Sequence, residues 1–342
     1  MAQLGSPLRF IMGNAHVTEA PQRPNPAEHA PHRERADGVS FDPVVLSIII
    51  ANYNGRELLR QCLASIYRHP PECSFNVVVI DDASRDGSDA MVREYFPQVH
   101  LLVNAQNVHY GRSNNRAIDL VRCEFVYLLN NDTVILPHAL DRMLTFLHET
   151  PDAGAVGSKL LNGDGSIQAS VKSLPCLMSG LFGDRSIIRK LFPRNRFTRQ
   201  HLLHLSHDAQ SPFTAGYVSS ASVMIRRGVV QQVGHLDERL SYHVDADYCK
   251  RIWDAGWKVY YLPSAVVIHD AHKGGTMVSL RRRFKSVVEF HRGTYIYYRK
   301  HHARSDMTPI LFVVIAGLAA RFVMSLLLQG SKELLRPMLP SK

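Results

Sequence analysis

Phe75-Asn-Val-Val-Val-Ile80 is a short, mainly apolar run, and Asp81 and Asp82 follow it directly. An apolar run of this length between polar residues predicts a strand that is buried on both faces. In open parallel sheets, ligands bind at the carboxyl ends of the strands. Two carboxylates at such a position therefore predict a polar ligand site at this edge of the sheet.

Two further acidic sites lie in similar surroundings. Asp132 closes the segment Phe125-Val-Tyr-Leu-Leu-Asn-Asn131, and Asp245 and Asp247 lie in Leu240-Ser-Tyr-His-Val-Asp-Ala-Asp-Tyr-Cys-Lys-Arg251. Acids held at strand ends are suited to meet a nucleotide, a metal ion and a reacting hydroxyl group. Their placement is the main indication of function in this chain.

Apolar runs alternate with amphipathic segments from Val44 onward, which predicts an α/β fold. Strand–helix alternation is typical of βαβ units, so we expect a Rossmann-like, mostly parallel central sheet flanked by helices. The predicted strands are 44–51, 76–80, 99–103, 124–129, 154–160, 218–225, 258–262 and 265–269. The predicted helices are 56–68, 86–95 with Ser84 or Asp86 as cap, 113–121, 137–149, 227–233, 245–255 and 278–302. Residues 162–165 predict a turn into a hairpin strand at 166–170.

Composition divides the chain into three regions. Residues 1–42 are rich in Pro, His and charge and predict a disordered tail. Residues 43–275 form the predicted folded domain, in which 172–212 lacks periodicity and is expected to be a loop that orders with substrate. Residues 276–342 combine a basic amphipathic helix with an apolar stretch, 310–328, that contains Arg321. At about 20 residues the stretch is long enough to span a bilayer, and we expect these C-terminal helices to associate with a membrane, either spanning it or lying in its interface.

The 342 residues carry a formal net charge of +10, which predicts an anionic partner. Basic residues accumulate just before the apolar stretch, which favours a membrane surface, and no motif supports nucleic-acid binding. Five cysteines without metal-like spacing favour reduced thiols in the cytosol. The first 40 residues lack the apolar core of a signal peptide. Together these features predict a location at the cytoplasmic face of the cell membrane.

The first two acidic sites predict ligand contacts of different kinds. Asp132 follows two asparagines, and such oxygen donors suit Mg²⁺ or Mn²⁺, although a lone Asp after a strand is commonly a cap. Asp81 and Asp82 are suited to accept hydrogen bonds from a base or a ribose. Asp86, in Asp86-Gly-Ser88, is instead typical of a turn.

The third acidic site cannot give both of its carboxylates the same role. If the segment is helical, Asp245 and Asp247 point about 200° apart around the helix axis. We therefore expect one of them to face the site, within reach of an attacking hydroxyl group as a general base requires. The other is expected to cap the helix or to pair with Lys250 or Arg251.

These segments, in this order, resemble family-2 glycosyltransferases of the GT-A fold, within the rhamnosyltransferase-like branch. The resemblance covers about residues 46–302. The matching segments are Ser47-Ile-Ile-Ile-Ala-Asn-Tyr-Asn-Gly55, Val79-Ile-Asp-Asp-Ala-Ser-Arg-Asp-Gly-Ser88, Asn107-Val-His-Tyr-Gly-Arg-Ser-Asn-Asn115, Leu128-Leu-Asn-Asn-Asp132, Val218-Ser-Ser-Ala-Ser-Val-Met-Ile-Arg-Arg227, Leu236-Asp-Glu238, Asp245-Ala-Asp-Tyr-Cys-Lys-Arg251, Ala255-Gly-Trp257 and His269. Each segment alone is weakly specific, whereas their order and spacing together are highly specific.

The resemblance implies an inverting, metal-dependent transfer of a sugar from a nucleotide-diphosphate sugar. It implies that Asp245 is the catalytic base and that Asp132 and His269 lie at a divalent cation, Mg²⁺ or Mn²⁺. It also implies that the nucleotide-sugar is contacted by Asn52, Tyr53, Asn54, Asp81, Asp82, Arg112 and Asn131. The donor suggested at this level is dTDP-rhamnose or a UDP-hexose. The acceptor suggested is a polyprenyl-diphosphate-linked saccharide or a polysaccharide in cell-surface assembly.

Three features depart from the family's pattern. Val244 stands where a Glu before the base is usual, the metal motif retains one carboxylate after Asn130-Asn131, and His109 and Ser220 replace common glycines. The alternative function is therefore that of a catalytically degraded GT-A protein that binds nucleotide-sugars without transferring them. Nucleotidyl transfer is a further alternative, but Asn52-Tyr-Asn-Gly-Arg56 is a poor match to a triphosphate-binding loop.

Overall fold

The structure is a computed structural model that describes residues 41–176, 203, 210–270, 280–303, 315–317, 319, 322 and 323. The predicted tail, apart from residues 41 and 42, lies outside the described residues, as do most of the 172–212 loop and most of the apolar stretch 310–328. Phe41 is 2% exposed and packs edge-on against His100, so the packed domain includes this residue.

The first half of the described chain alternates strands and helices as predicted. Helix Arg56–Arg68 has the predicted bounds, and it forms because Leu59, Cys62, Leu63 and Ile66 recur on one face, where all four are buried. The elements are β1 (Val44–Asn52), α1 (Arg56–Arg68), β2 (Phe75–Asp81), α2 (Ser88–Tyr95), β3 (His100–Val103), α3 (His109–Leu120), β4 (Cys123–Leu129), β5 (Thr133–Ile135) and α4 (Ala139–Glu149).

The second half contains shorter strands and the helices that complete the domain. Its described elements are β6 (Ala153–Leu161), β7 (Val171–Lys172), β8 (Phe213–Thr214), β9 (Tyr217–Val218), β10 (Ser222–Arg226), α5 (Arg227–Val233), α6 (Val244–Asp254), β11 (Lys258–His269) and α7 (Leu280–His301). Among the described residues, no helix is both long enough and apolar enough to cross a membrane.

The central sheet is mostly parallel, as predicted, and three short strands, β10, β5 and β8, run against the others. Its strand order is β3-β2-β1-β4-β10-β6-β11-β5, with β8 also paired to β11. The β3-β2-β1-β4 half is parallel, and β6 pairs with β11 in parallel. β10 runs antiparallel to both β4 and β6, and β5 and β8 run antiparallel to β11. Because both faces of the sheet are covered, parallel and antiparallel strands have the same apolar pattern, and the sequence does not predict which strands are antiparallel.

Two apolar layers cover the two faces of this sheet. Alternate residues of β1 enter different layers: Ile48 and Ile50 pack with α1, α2 and α4, while Ile49 packs with α3, α5 and α6. The helices therefore occupy the faces, and the strand ends remain at the edge where the acidic residues lie.

Several predicted elements differ from those observed. α2 begins at Ser88 after Gly87 (φ 77), so neither Ser84 nor Asp86 is its N-cap. The predicted strand 218–225 is divided into β9 and β10, and the predicted hairpin strand 166–170 is reduced to one antiparallel bridge between Leu161 and Ile167. The two strands predicted at 258–262 and 265–269 form the single strand β11, with a register shift between Leu262 and Val266. Pro263, which has no N–H to donate, lies inside that shift.

Helix α7 packs against the segment that leads into α6. Gly293 approaches the backbone so closely that a Cβ there would lie 2.7 Å from the carbonyl oxygen of Tyr242. His243 Nε2 lies 2.9 Å from Thr294 Oγ1, and Tyr242 hydrogen-bonds Ser286. The predicted amphipathic helix is thus a docked part of the folded domain.

Candidate active site

Polar side chains at the ends of β1, β2 and β4 form a connected chain of hydrogen bonds. The parallel register places Asn52 beside Asp81. Asn131 Nδ2 donates to Asn52 Oδ1 at 2.7 Å, and Asn52 Nδ2 donates to Asp81 Oδ1 at 3.0 Å. Asp81 Oδ2 accepts the Ser84 backbone N–H at 2.9 Å. The structure therefore brings together three of the predicted nucleotide-sugar residues: Asn52, Asp81 and Asn131.

The next two predicted residues lie in the turn after β1. Asn54 has φ 51, accepts the Arg85 N–H at its side chain and donates its own N–H to Ser84 Oγ. Its side chain thus holds two loops together. Tyr53 is 50% exposed, which leaves its ring accessible at the same edge.

Asp82 accepts hydrogen bonds at the start of α3, which the sequence analysis did not predict. Its carboxylate accepts N–H groups from Val108 and His109 at 2.9 Å each, and the side-chain N–H of Asn104 also at 2.9 Å. It thereby satisfies backbone donors at the start of α3, which have no partner within the helix. His109 has φ 71, a conformation that favours glycine, and the bonds to Asp82 hold it there.

Arg112 lies on α3 and is bound to a neighbouring loop. Its Nε donates to Glu238 Oε2 at 2.9 Å, and Asn115 Nδ2 donates to Glu238 Oε1 at 3.2 Å. Asn115 also bonds the backbone of Leu236 in both directions. In this arrangement Arg112 stabilises the contact between α3 and residues 236–238.

Asp132 and His269, distant in sequence, meet because β5 and β11 pair antiparallel. The register places His269 opposite Thr133, and the Asp270 N–H donates to the Asp132 carbonyl at 2.9 Å. His269 Nε2 consequently lies 3.3 Å from Asp132 Oδ1. Within the described part of the chain, that buried oxygen has no hydrogen-bond partner.

The unpartnered oxygen and the imidazole nitrogen suit a divalent cation. Buried carboxylate oxygens are normally hydrogen-bonded, so an orphaned one calls for an explanation such as an ion. Mg²⁺ and Mn²⁺ are bound through one or two protein ligands with substrate phosphates completing the shell. The described residues contain no group of three or more His, Cys, Asp or Glu side chains that could hold a metal by themselves.

Asp245 occupies the first turn of α6 and is partly buried. Burial raises its pKa above the ordinary Asp value, opposed by the Ala246 N–H that it accepts at 2.9 Å and by the charge of Lys172. Val244, before it, is 7% exposed and packs in the apolar layer with α3 and α5, so this departure from the family pattern serves packing.

Tyr110 and the turn at 219–221 lie near both Asp245 and the strand that leads to Asp132. Burial, together with the charge of Asp245, raises the pKa of Tyr110, and its hydroxyl donates to the carbonyl of Ser220 at 3.2 Å. The adjacent Ala221 carbonyl accepts the Asn130 N–H at 3.0 Å. No hydrogen bond or ion pair between described residues joins Asp245 directly to Asp132 or His269.

Asp247 is the paired carboxylate of α6, as predicted. It is fully buried, and Arg251 Nε lies 3.0 Å from its Oδ2. Lys300 Nζ and His301 Nε2 each lie 2.8 Å from its Oδ1. Burial alone would raise the pKa of Asp247, but the bonds from His301 and Lys300 outweigh it and hold the pKa below its usual range. The sequence suggested the Arg251 contact but not those from α7.

Comparisons with known proteins relate the chain to sugar-transferring enzymes. The family model described as Glycosyl transferase family 2 matches residues 47–234. The N-acetylglucosaminyl-diphospho-decaprenol L-rhamnosyltransferase of Mycobacterium tuberculosis is 29% identical over 290 residues, which are 81% of this chain and 91% of that protein.

Solved structures show the same fold at low sequence identity. The mannosyltransferase PcManGT from Pyrobaculum calidifontis, in complex with GDP-Man and Mn²⁺, has a TM-score of 0.54 at 17% identity, with 88% of this chain and 77% of that chain covered. GalNAc-T7 with UDP, GalNAc and Mn²⁺ has a TM-score of 0.52 at 13% identity, with 80% and 54% covered. At these identities the likeness concerns the fold alone.

Proposed function

Because the chain belongs to glycosyl transferase family 2, we propose that it transfers a sugar from a nucleotide-diphosphate sugar to a lipid-linked saccharide, with inversion and with Asp245 as general base. Use of a nucleotide sugar by a rhamnosyltransferase-like enzyme follows from the family and from the relative in M. tuberculosis. The observation that carries the proposal is the pair Asp132 Oδ1 and His269 Nε2, 3.3 Å apart at the edge where Asn52 and Asp81 lie.

The donor pocket is assigned to the ends of β1 and β2. Asp81 presents a buried carboxylate that the base or ribose of the nucleotide can meet, and Asn52 and Ser84 hold it in one orientation. Tyr53 offers an exposed ring for stacking on a base. Asn131, which bonds Asn52, extends the polar surface toward Asp132. Asp82 is assigned to the same pocket, because its carboxylate keeps an acceptor position beside the three bonds from the chain that hold it in place.

Asp132 and His269 are the residues that would hold Mg²⁺ or Mn²⁺, since a buried carboxylate oxygen without a hydrogen-bond partner and an imidazole nitrogen lie 3.3 Å apart there. A bound divalent cation would stabilise the negative charge that develops on the departing diphosphate. Asp132 and His269 keep their positions because the β5–β11 pairing fixes both backbones.

Asp245 is assigned to accept the proton of the acceptor hydroxyl group. Its raised pKa brings a carboxylate closer to the operating pH, where a general base is most effective. Such proton transfer contributes on the order of 10²–10⁴-fold to a rate. A single displacement with this base inverts the anomeric centre, and no covalent sugar–enzyme intermediate is required.

The acceptor is proposed to be a saccharide on a polyprenyl diphosphate at the cytoplasmic face of the membrane. The M. tuberculosis relative is named for a decaprenol-linked substrate. On α7, Lys285, Val288 and Arg292 are exposed at a spacing that places them on one side of the helix. Cationic helices of this kind bind anionic lipid surfaces. The residues beyond α7 extend the proposed membrane-associating region to 342.

A thermal-shift panel followed by a transfer assay tests the proposal. Nucleotide-sugars are compared with and without Mn²⁺, because ligands of the folded state raise its melting temperature. We expect a metal-dependent shift with one dTDP- or UDP-sugar, and transfer of that sugar to a synthetic GlcNAc-diphospho-polyprenol.

Asp245→Asn is the decisive variant because Asn keeps the bond to the Ala246 N–H. We expect at least about 10²-fold loss of transfer with donor affinity unchanged. Lost donor binding in this variant would contradict the assigned role. Donor binding by a wild-type protein that transfers to no acceptor would instead favour the degraded, binding-only alternative.

A further inference from the structure

Gln168 bridges the loop after β6 to the backbone and the ring of His269. Its Nε2 donates to the His269 carbonyl oxygen at 2.6 Å and to Asn162 Oδ1 at 2.7 Å. Its Oε1 lies 2.9 Å from His269 Nδ1. One amide side chain therefore contacts the same histidine at two points.

The contact with the backbone fixes which end of the amide faces the ring. A carbonyl oxygen only accepts hydrogen bonds, so the end of Gln168 at the His269 carbonyl must be its NH₂ group. Its oxygen is then the atom at Nδ1, and Nδ1 must carry the proton that this oxygen accepts. In a neutral imidazole the other nitrogen, Nε2, then presents its lone pair.

We propose that Gln168 is a positioning residue that holds His269 as the Nδ1–H tautomer with its Nε2 lone pair directed at Asp132. Two acceptors then face each other across 3.3 Å, and Asn130 Nδ2, at 3.5 Å, is the neighbouring donor to Nε2. Such a pair is repulsive until a cation lies between its members. Ligand histidines commonly donate their second N–H in this way, which orients the ring. The role of Asp132 and His269 as metal ligands rests on the proposed function, whereas the tautomer of His269 rests on the hydrogen bonds of Gln168.

The tautomer is measured directly in metal-free protein by ¹⁵N NMR of labelled histidines, with His269 assigned by comparison with His269→Asn. We expect Nδ1–H in the wild type. Gln168→Leu is expected to lose this state, because no acceptor remains at Nδ1. Gln168→Glu returns an acceptor oxygen to Nδ1 but loses the donor to the His269 carbonyl, so we expect it to recover this state only in part. Gln61→Leu, at an exposed glutamine of α1, is the matched control and should leave the signal unchanged.

Mn²⁺ binding in the presence of UDP, followed by EPR, gives the second readout. We expect about 10-fold weaker Mn²⁺ binding in Gln168→Leu, partial recovery in Gln168→Glu, and no change in Gln61→Leu. An Nε2–H signal in the wild type, or unaltered tautomer and affinity in Gln168→Leu, would overturn the inference. A wild type that shows Nδ1–H but binds no Mn²⁺ would uphold the positioning role and refute the metal part of the proposed function.

Discussion

Removing the ammonium group of Lys300 tests whether the end of α7 holds α6 in place. Lys300 Nζ lies 2.8 Å from Asp247 Oδ1 and 3.0 Å from Asp237 Oδ2, so one cation joins two carboxylates. Asp247 is fully buried, and the Lys300 side chain is 29% exposed. Lys300→Met keeps the length and apolar part of the chain but removes the charge.

The expected cost follows from the partners that remain. A hydrogen bond to a charged group contributes roughly 1.5–3 kcal/mol. Asp247 retains His301 and Arg251 in the variant, and Lys300 is partly solvated, so we expect a loss of about 2 kcal/mol in the free energy of unfolding. With an m value of about 3 kcal/mol/M, the urea midpoint should fall by about 0.7 M.

Lys285→Met is the matched control, since Lys285 is an exposed lysine of the same helix. Surface substitutions of this kind change stability by less than about 0.5 kcal/mol. Asp245 lies two residues before Asp247 on α6, so kcat should also fall in Lys300→Met. Equal urea midpoints for the two variants would refute the reasoning that α7 stabilises α6 through this cation.

Two further predictions concern the site. Gly55→Ala would place a Cβ 2.3 Å from Asn131 Nδ2 and break the bond from Asn131 to Asn52, so we expect the free energy of unfolding to fall by about 1 kcal/mol and donor binding, measured by calorimetry, to weaken about 5-fold. Gly228→Ala is the control, because a Cβ at Gly228 meets nothing within 4 Å. Equal stability and donor affinity in the two variants would contradict this prediction. Burial raises the pKa of Asp245, and transfer needs its ionised form, so the acid limb of the profile of kcat/KM against pH should lie above about pH 4. Lys172→Met removes a positive charge that lowers this pKa, so the acid limb should move to higher pH in the variant. An acid limb at the same pH in both proteins would contradict the role of Asp245 as the base.

Local signals in the sequence were sufficient for much of the fold. The stripe that forms α1 and the apolar runs of β1, β2 and β4 are properties of a few consecutive residues, and these elements appear with nearly the predicted bounds. α5 also has its predicted bounds, Arg227–Val233. Because the end of each of these strands was correctly placed, so was the edge that carries Asp81 and Asp132.

The errors occur where distant residues decide local structure. α3 was predicted to begin at 113, yet it begins at His109 because Asp82 satisfies the first N–H groups from another loop. The break between β9 and β10 is a turn in which the Ser222 N–H donates to the Ser219 carbonyl, and it lets β9 pair with β7 while β10 pairs with β4. Neither contact produces a periodic or compositional pattern in the sequence that could predict it.

Among the site residues, those at strand ends were predictable and those in loops were not. The Asp132–His269 pair came from the resemblance, and the structure brings its two members together. Gln168 was missed because it lies in a loop without periodicity and acts only through His269. The use of Asp82 within the chain was missed because a carboxylate after a strand has the same pattern whether its partner is a ligand or a backbone.

The pairing of β11 with β5 also governs the order in which the molecule can be assembled. Asn130 and His269 are separated by 139 residues, and β11 is the last strand of the sheet along the described chain. During synthesis β5 and β6 emerge long before the strand that pairs with both, so their edges are exposed to other chains in the interval. Closing such a long loop slows folding, because entropy is lost before the new contacts form. A nascent chain therefore holds Asp132 without its imidazole partner until β11 inserts, and the two-residue site is a property of the completed domain.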